Sequence, residues 1–130
     1  MKFLKCFFCS LLVLGVCVVG IVEARQIGEF ANFRITSSYA KTGYLTKSIT
    51  KANYVINLQP SENLAPMTVK NRLVNSNNEA RSSDAVTRCG QRDTIGNWGT
   101  AGYGYALQMK RQNWWDGAAA ITGSWSPDDR

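Results

Sequence analysis

Residues 103–125 read YGYALQMKRQNWWDGAAAITGSW, and this stretch decides the fold. Apolar residues alternate with polar or small ones on both sides of Asp116 and Gly117, which is the period-two pattern of strands that bury one face. We predict that the buried faces hold Tyr103, Tyr105, Leu107 and Met109 before the turn, and Ala119, Ile121, Gly123 and Trp125 after it. The stretch therefore predicts two strands separated by a short reversal.

The simplest connection between these strands is a hairpin, and the length of its loop sets which side chains share a face. A two-residue loop would place Leu107 and Trp125 on opposite faces of the sheet. A three-residue loop of residues 115–117 instead pairs Leu107 with Trp125, and it puts Gly117 at the left-handed position of the turn. We therefore expect a bulged hairpin that lays Leu107 against Trp125.

Further runs along the chain alternate in the same way. They predict strands near residues 30–40, 54–58 and 67–73, a connection over 61–66, turn-forming asparagines at 75–78 and a fourth strand near 79–89. A short helix capped by Ser76 is the alternative for the last segment. Residues 41–51 are interpreted as a loop or solvent-facing edge, and residues 90–102 as a loop around Trp98. The pattern predicts an all-β fold, either a small antiparallel β-sandwich or an open barrel.

Residues 1–24 have the three parts of a secretory signal peptide. Lys2 and Lys5 form the basic start, residues 6–22 carry no charge, and Val22 and Ala24 are small residues before a cleavage site. We predict a signal-peptide helix cleaved after Ala24 and a single secreted β-rich domain over residues 25–130. The alternative is a retained anchor helix, because the uncharged run reaches the lower end of the roughly 17–25 residues that span a bilayer.

Cleavage would remove three of the four cysteines and leave only Cys89. A chain with one cysteine forms no intramolecular disulfide. Cys89 is therefore either a small buried hydrophobic residue or a thiol that pairs with a second chain. We expect a monomer rather than a Cys89-linked dimer.

The chain left after cleavage carries a net charge of +5, from thirteen Lys and Arg against eight Asp and Glu. The basic residues are spread along the sequence rather than gathered in one run. Such a surplus suits weak, salt-sensitive contact with anionic cell-wall polymers, membrane surfaces or surface glycans. The alternative is a solvated surface that keeps the protein soluble. Without a basic stripe, nucleic acid is not an expected partner.

The sequence contains no histidine, which removes the usual general base at neutral pH and the commonest zinc ligand. The acidic residues are scattered, and Asp128 and Asp129 are expected at a frayed end. We therefore predict no catalytic residues, no metal site and no cofactor, and expect that the protein is not an enzyme.

Aromatic residues are the strongest candidates for a binding site. Trp98, Trp114 and Trp115 could form a flat platform for a sugar ring, a lipid head group or another protein. Lys110 and Arg111 lie beside the tryptophan pair in the sequence and suit an anionic partner. The alternative is that these rings fill the ends of the core.

Residues 103–129, YGYALQMKRQNWWDGAAAITGSWSPDD, and residues 69–83, VKNRLVNSNNEARSS, resemble a family of small exported proteins of Gram-positive bacteria whose function is unknown. The resemblance rests chiefly on the closing residues 123–128. It implies secretion and a β-rich fold, and it supplies no catalytic or binding residues.

Two functions follow as hypotheses from these observations. The first is a secreted, non-enzymatic β-sandwich that binds the cell envelope or another extracellular partner. The alternative is a cationic, bacteriocin-like antibacterial protein that acts on membranes.

Overall fold

The computed structural model describes residues 25–60 and 67–130. Within these residues the chain forms the strands β1 (Gly28–Ile35), β2 (Ala40–Lys41), β3 (Leu45–Thr46), β4 (Tyr54–Leu58), β5 (Thr68–Asn75), β6 (Ala85–Arg88), β7 (Arg92–Ile95), β8 (Gly104–Arg111) and β9 (Ala119–Ser126). The same residues include no helix of the length and apolarity that crossing a membrane requires. The signal peptide predicted over 1–24 and the connection predicted over 61–66 lie outside the described residues.

The strands form two antiparallel sheets that pack face to face. The first sheet has the order β1-β9-β4-β7, and the second has the order β2-β8-β5-β6 with β3 also paired to β8. Apolar side chains from both sheets meet in one core, which includes Tyr54, Ile56, Leu73, Leu107, Met109 and Trp125. The prediction of an all-β fold is confirmed. Of its two alternatives the sandwich is observed, since the sheets do not close into a barrel.

The predicted hairpin between the last two strands is wrong. β8 pairs with β2, β3 and β5, whereas β9 lies between β1 and β4 in the other sheet. Leu107 and Trp125 are both buried in the core, but they come from opposite sheets and are not cross-strand neighbours. Alternation shows which face of a strand is buried and does not select the strand beside it. Residues 112–118 are long enough to carry the chain from one sheet to the other.

The predicted faces of these two strands are confirmed in most positions. Tyr105, Leu107 and Met109 of β8 and Ile121 and Trp125 of β9 are buried. Ala119 and Gly123 are only partly buried. Tyr103 is the clear exception, because it lies before β8 and is 65% exposed.

The asparagine turn is also confirmed, and the alternative short helix is not formed. The side-chain oxygen of Asn75 accepts hydrogen bonds from the backbone N–H groups of Asn77 and Glu79. Asn78 takes the left-handed conformation, with φ of 60°, which asparagine tolerates better than most residues. The chain then returns as β6, antiparallel to β5.

Two other sequence interpretations need correction. The strand predicted over residues 30–40 ends at Ile35, after which the chain moves to β2 in the second sheet. The loop predicted over 90–102 contains β7, which pairs with β4 along residues 92–95. Both segments lie at sheet edges, where short strands interrupt the regular alternation on which the prediction was based.

A buried ion pair joins residue 47 to the end of the chain, in a segment predicted to face solvent. The Lys47 Nζ atom lies 3.4 Å from Asp128 Oδ1, and both side chains are fully buried. Lys47 also donates to the backbone carbonyls of Ala52 (2.6 Å) and Pro127 (2.5 Å). Burial lowers the pKa of Lys47, although the Asp128 carboxylate opposes this shift. Asp128 is therefore a structural residue and not part of a frayed end.

Asp128 also fixes the backbone that surrounds Lys47. Its carboxylate accepts hydrogen bonds from the N–H groups of Ser48 (2.7 Å) and Ile49 (3.1 Å). Both oxygens of the Asp128 carboxylate thus accept hydrogen bonds. The Lys47 ammonium group donates to two carbonyls and pairs with the same carboxylate. A pair with this many hydrogen bonds can offset the cost of moving two charges out of water.

We predict that Asp128→Ala lowers the free energy of unfolding by about 3–5 kcal/mol, because it leaves the Lys47 charge buried without its counterion. The matched control is Asp129→Ala, which removes a surface ion pair with Arg130 and should cost less than about 1 kcal/mol. The double variant Lys47→Met/Asp128→Asn should recover part of the loss, since no charge then remains buried. Urea unfolding measures all three. Equal losses for the two alanine variants would contradict the role of the buried pair.

Candidate functional site

The second sheet presents its polar residues on the face away from the core. Along β5, Val69, Asn71 and Leu73 are buried against the core, so Lys70 and Arg72 point to the opposite face. The alternation of β5 thus separates an apolar inner face from a basic outer face.

Neighbouring strands add further basic residues to this outer face. Residues directly opposite each other in antiparallel strands point to the same side of the sheet. Lys110 on β8 lies opposite Lys70, Lys41 on β2 lies opposite Gln108, and Arg88 on β6 lies opposite Thr68. We call this surface the cationic face and define it as Lys41, Lys70, Arg72, Arg88 and Lys110.

One pairing on the cationic face is electrostatically unfavourable. Lys70 and Lys110 are direct cross-strand partners, and like charges in that position destabilise a sheet. Asp84 partly compensates, with its carboxylate 3.9 Å from Lys70 Nζ. Five basic side chains against this one carboxylate leave the face with a charge of about +4.

Tyr39 lies across the middle of the cationic face. Its ring has the Arg72 guanidinium carbon 4.3 Å and the Lys110 Nζ 4.6 Å from its centroid, which are cation–π distances. Its hydroxyl donates a 2.8 Å hydrogen bond to Asp84. Tyr39 precedes the edge strand β2 and Asp84 precedes the edge strand β6, so this bond spans the sheet. The ring and the carboxylate together hold the cations in place.

A second aromatic residue orients the cation at the edge of the face. Lys41 Nζ donates to the hydroxyl of Tyr44 and to the side-chain oxygen of Asn78, each at 2.8 Å. It also lies 5.1 Å from the centroid of the Tyr44 ring. Lys41 is therefore positioned at this edge although it is exposed.

Among the described residues, the outer face of the first sheet has no comparable charge cluster. One row across that sheet runs Glu29, Ser124, Asn57 and Arg92. It therefore holds one acidic and one basic residue. Arg34 lies further along β1, opposite Ala120.

Trp114 and Trp115 lie in the connection between β8 and β9, which we call the tryptophan turn (residues 112–118). The two side chains are 81% and 66% exposed, so they do not fill the end of the core. Their rings meet edge to face, with centroids 5.8 Å apart and planes at 83°.

Trp98 lies at the opposite end of the sandwich from the tryptophan turn. It follows the last residue of β7, Ile95, which pairs with Tyr54 of β4. The next residue of β4, Val55, pairs with Ser126, the last residue of β9, so Trp98 lies near the end of β9. The tryptophan turn instead precedes the start of β9. Eight residues of β9 separate the two ends by about 24 Å, at roughly 3.4 Å per residue. The three tryptophans therefore do not form the single platform considered from the sequence.

Hydrogen bonds fix the tryptophan turn against the second sheet. The Arg111 guanidinium donates to the carbonyl of Asp116 at 2.6 Å. The side-chain amide of Asn113 donates to Thr68 Oγ1 at 3.3 Å, and the backbone N–H of Gln112 donates to the Thr68 carbonyl at 3.2 Å. Arg111 thus orients the turn, whereas Lys110 belongs to the cationic face.

Cys89 lies under the tryptophan turn and is a free thiol. It is half buried and packs against the core. Burial raises the pKa of its thiol, and the nearby Asp116 carboxylate adds to the shift. One oxygen of Asp116 is buried and accepts no hydrogen bond from the described residues. This environment disfavours the reactive thiolate.

Neither a metal-binding cluster nor a match to a known protein identifies the chemistry of this site. Among residues 25–60 and 67–130, no three His, Cys, Asp or Glu side chains are grouped so that they could hold a metal ion. No protein-family model, curated protein or solved structure matches this chain. The resemblance to exported Gram-positive proteins therefore stays a prediction, and the site is interpreted from its own geometry.

Two tyrosines, Tyr54 in β4 and Tyr39 just before β2, should make the protein less stable in alkali. Burial raises the pKa of Tyr39 and of Tyr54, and the bond to Asp84 adds to the shift of Tyr39. A pKa that is higher in the folded state gives stability that is present below the unfolded value, near 10, and is lost as the pH rises above it. The lowered pKa of Lys47 changes the free energy of unfolding in the opposite direction. Lys47 is neutral in the folded and unfolded states above about pH 10.5, so it does not affect this range.

We therefore predict that the free energy of unfolding falls between about pH 10.5 and 12, by up to about 1.4 kcal/mol per pH unit for the fully buried Tyr54. Tyr54→Phe should remove more of this slope than Tyr39→Phe, because Tyr39 is only half buried. Urea unfolding of the wild-type protein and both variants at about pH 10.5 and at about pH 12 measures how the free energy of unfolding depends on pH. An unchanged slope in Tyr54→Phe would contradict the assignment.

Proposed function

We propose that the protein is a secreted, non-enzymatic domain that binds anionic polymers of the cell envelope through the cationic face. The observation that carries the proposal is the gathering of five basic side chains on one sheet face, with Lys70 directly opposite Lys110. Secretion is supported by the signal-peptide pattern of residues 1–24.

A polymer with repeated negative charges suits this face better than a small anion does. Each exposed ion pair contributes only about 0.2–1 kcal/mol, so useful affinity requires several contacts at once. The hydrogen bond between Tyr39 and Asp84 and the cation–π contacts hold the central cations before a ligand arrives. Less side-chain freedom is then lost on binding. Such binding should weaken as salt concentration rises.

Two observations favour binding over catalysis. The sequence has no histidine to act as a general base. Burial raises the pKa of the Cys89 thiol, which disfavours its use as a nucleophile. Its partial burial also supports a monomer over a Cys89-linked dimer.

We predict that Lys70→Glu/Lys110→Glu weakens binding to poly(glycerol phosphate) at least about tenfold, since it replaces two attractive contacts by two repulsive ones. The matched control is Arg34→Glu/Arg92→Glu, which changes the net charge equally on the exposed outer face of the first sheet. The control should weaken binding less than about threefold. Isothermal titration calorimetry at low salt measures the affinities.

Two results would reject the proposed function. One is a wild-type protein that does not bind the polymer even at low salt. The other is an equal loss of affinity in both double variants, which would assign the binding to net charge alone.

A second candidate function, disruption of membranes, is supported by the tryptophan turn. Two exposed indole rings beside basic residues resemble the side chains that lie at membrane interfaces. Trp114 and Trp115 are held on a turn fixed by Arg111, so their exposure does not depend on a loose loop.

For this second function we predict dye release from anionic liposomes by the wild-type protein, and loss of most of that release in Trp114→Ala/Trp115→Ala. Trp98→Ala is the control, because Trp98 is also exposed but lies at the other end of the sandwich. Absence of release by the wild-type protein, or equal release by all variants, would reject the membrane role. Either result would leave the polymer-binding proposal in place.

A further inference from the structure

Four of the five cations of the cationic face, all except Arg72, lie along a diagonal of the second sheet. Arg88, on the edge strand β6, pairs with Thr68 of β5. Gln108 of β8 pairs with both Arg72 of β5 and Lys41 of β2, so Lys41 is level with Arg72. Lys70 and Lys110 share the level between these two ends. A line from Arg88 to Lys41 therefore passes close to Lys70 and Lys110, whereas Arg72, on β5, lies to one side of it.

The length of this diagonal follows from sheet geometry. From β6 to β2 there are three strand spacings, or about 14 Å, and four residues along the strand add about the same in the perpendicular direction. The diagonal is therefore about 20 Å long, with neighbouring cations about 5–8 Å apart. That spacing suits a chain that carries one charge in each repeat.

Among the described residues, the face has one acidic residue, Asp84, whose backbone lies to one side of this line and whose carboxylate reaches toward it. Asp84 immediately precedes Ala85, which pairs with Asn71, so it lies beside Arg72 at the corner of the sheet opposite Lys41. Its carboxylate bonds to Tyr39 and lies 3.9 Å from Lys70. A polyanion on the diagonal would meet cations along its length and, within the part of the chain that the structure describes, one competing carboxylate beside Lys70.

From this arrangement we infer that the cationic face binds a linear polyanion lying diagonally from Arg88 to Lys41, and that about four successive charges of the polymer are bound. The inference rests on the proposed function and adds the shape of the ligand and its minimum length. The Tyr39 ring contacts Arg72 and Lys110, and the Tyr44 ring lies beside Lys41. Neither ring is a free stacking platform for nucleotide bases, which favours an envelope polymer over single-stranded nucleic acid.

The test is a length series of glycerol phosphate oligomers with about two to eight phosphates, titrated into the full protein by calorimetry at low salt. We expect affinity to rise at least about tenfold from two to four phosphates and less than about threefold beyond, because longer chains extend past the last cation. Asp84→Asn should raise the affinity for the four-phosphate oligomer, since it removes the competing charge and keeps an acceptor for Tyr39.

Variants at the ends of the diagonal test its direction. Arg88→Gln and Lys41→Gln should each bring the plateau to a shorter oligomer, whereas Arg34→Gln should leave it unchanged. All three residues are exposed, so the substitutions should have little effect on folding. Thermal unfolding of each variant verifies that the domain is intact.

Different failures have different meanings. Affinity that does not depend on oligomer length, with the long polymer still bound, would overturn the diagonal arrangement and leave the proposed function standing. Binding of no oligomer and no polymer would reject both. Tighter binding of a single-stranded oligonucleotide of equal charge, by more than about tenfold, would overturn the inference in favour of nucleic acid.

Discussion

The antiparallel register of β5 and β8 is the constraint on which the rest of the structure depends. It places Leu73 opposite Leu107 on the inner face and Lys70 opposite Lys110 on the outer face. A slip of one residue would bring the lysines into the core and expose the leucines. The core therefore holds the two lysines together despite their repulsion. Tyr39, bonded to Asp84, is the local compensation that the fold supplies.

Lysine has two different roles in this molecule, and its neighbours distinguish them. Lys47 is buried, and its ammonium group donates to two backbone carbonyls and pairs with Asp128. Those contacts satisfy its charge within the protein, so it serves the fold. Lys70 has one carboxylate at 3.9 Å and faces another lysine across the strand. The protein therefore compensates the charge of Lys70 only in part. An external anion that binds there can form a new favourable ion pair.

The sequence predicted local properties well and long-range partners poorly. Alternation identified the buried faces of β8 and β9, since burial of one face is a property of each strand alone. The pairing of Leu107 with Trp125 failed because the choice of neighbour depends on how the whole chain packs. The charge of the chain was interpreted as dispersed for the same reason. Lys70 and Arg72 visibly share a face of β5, but only the register of the sheet adds Lys110. Nothing local marked Asp128, whose burial depends on contacts with residues 47–49 about eighty positions away.

Solubility alone does not require this arrangement of charges. Solubility depends on net charge and on the absence of apolar patches, and both are served equally by basic residues placed far apart. Here Lys70 and Lys110 occupy directly opposed positions, where their repulsion costs stability. The same protein leaves Trp114 and Trp115 exposed on a turn that Arg111 holds in place. Both features carry a cost in the free protein that a bound anionic polymer or membrane surface would remove, which is consistent with the proposed binding roles of the cationic face and the tryptophan turn.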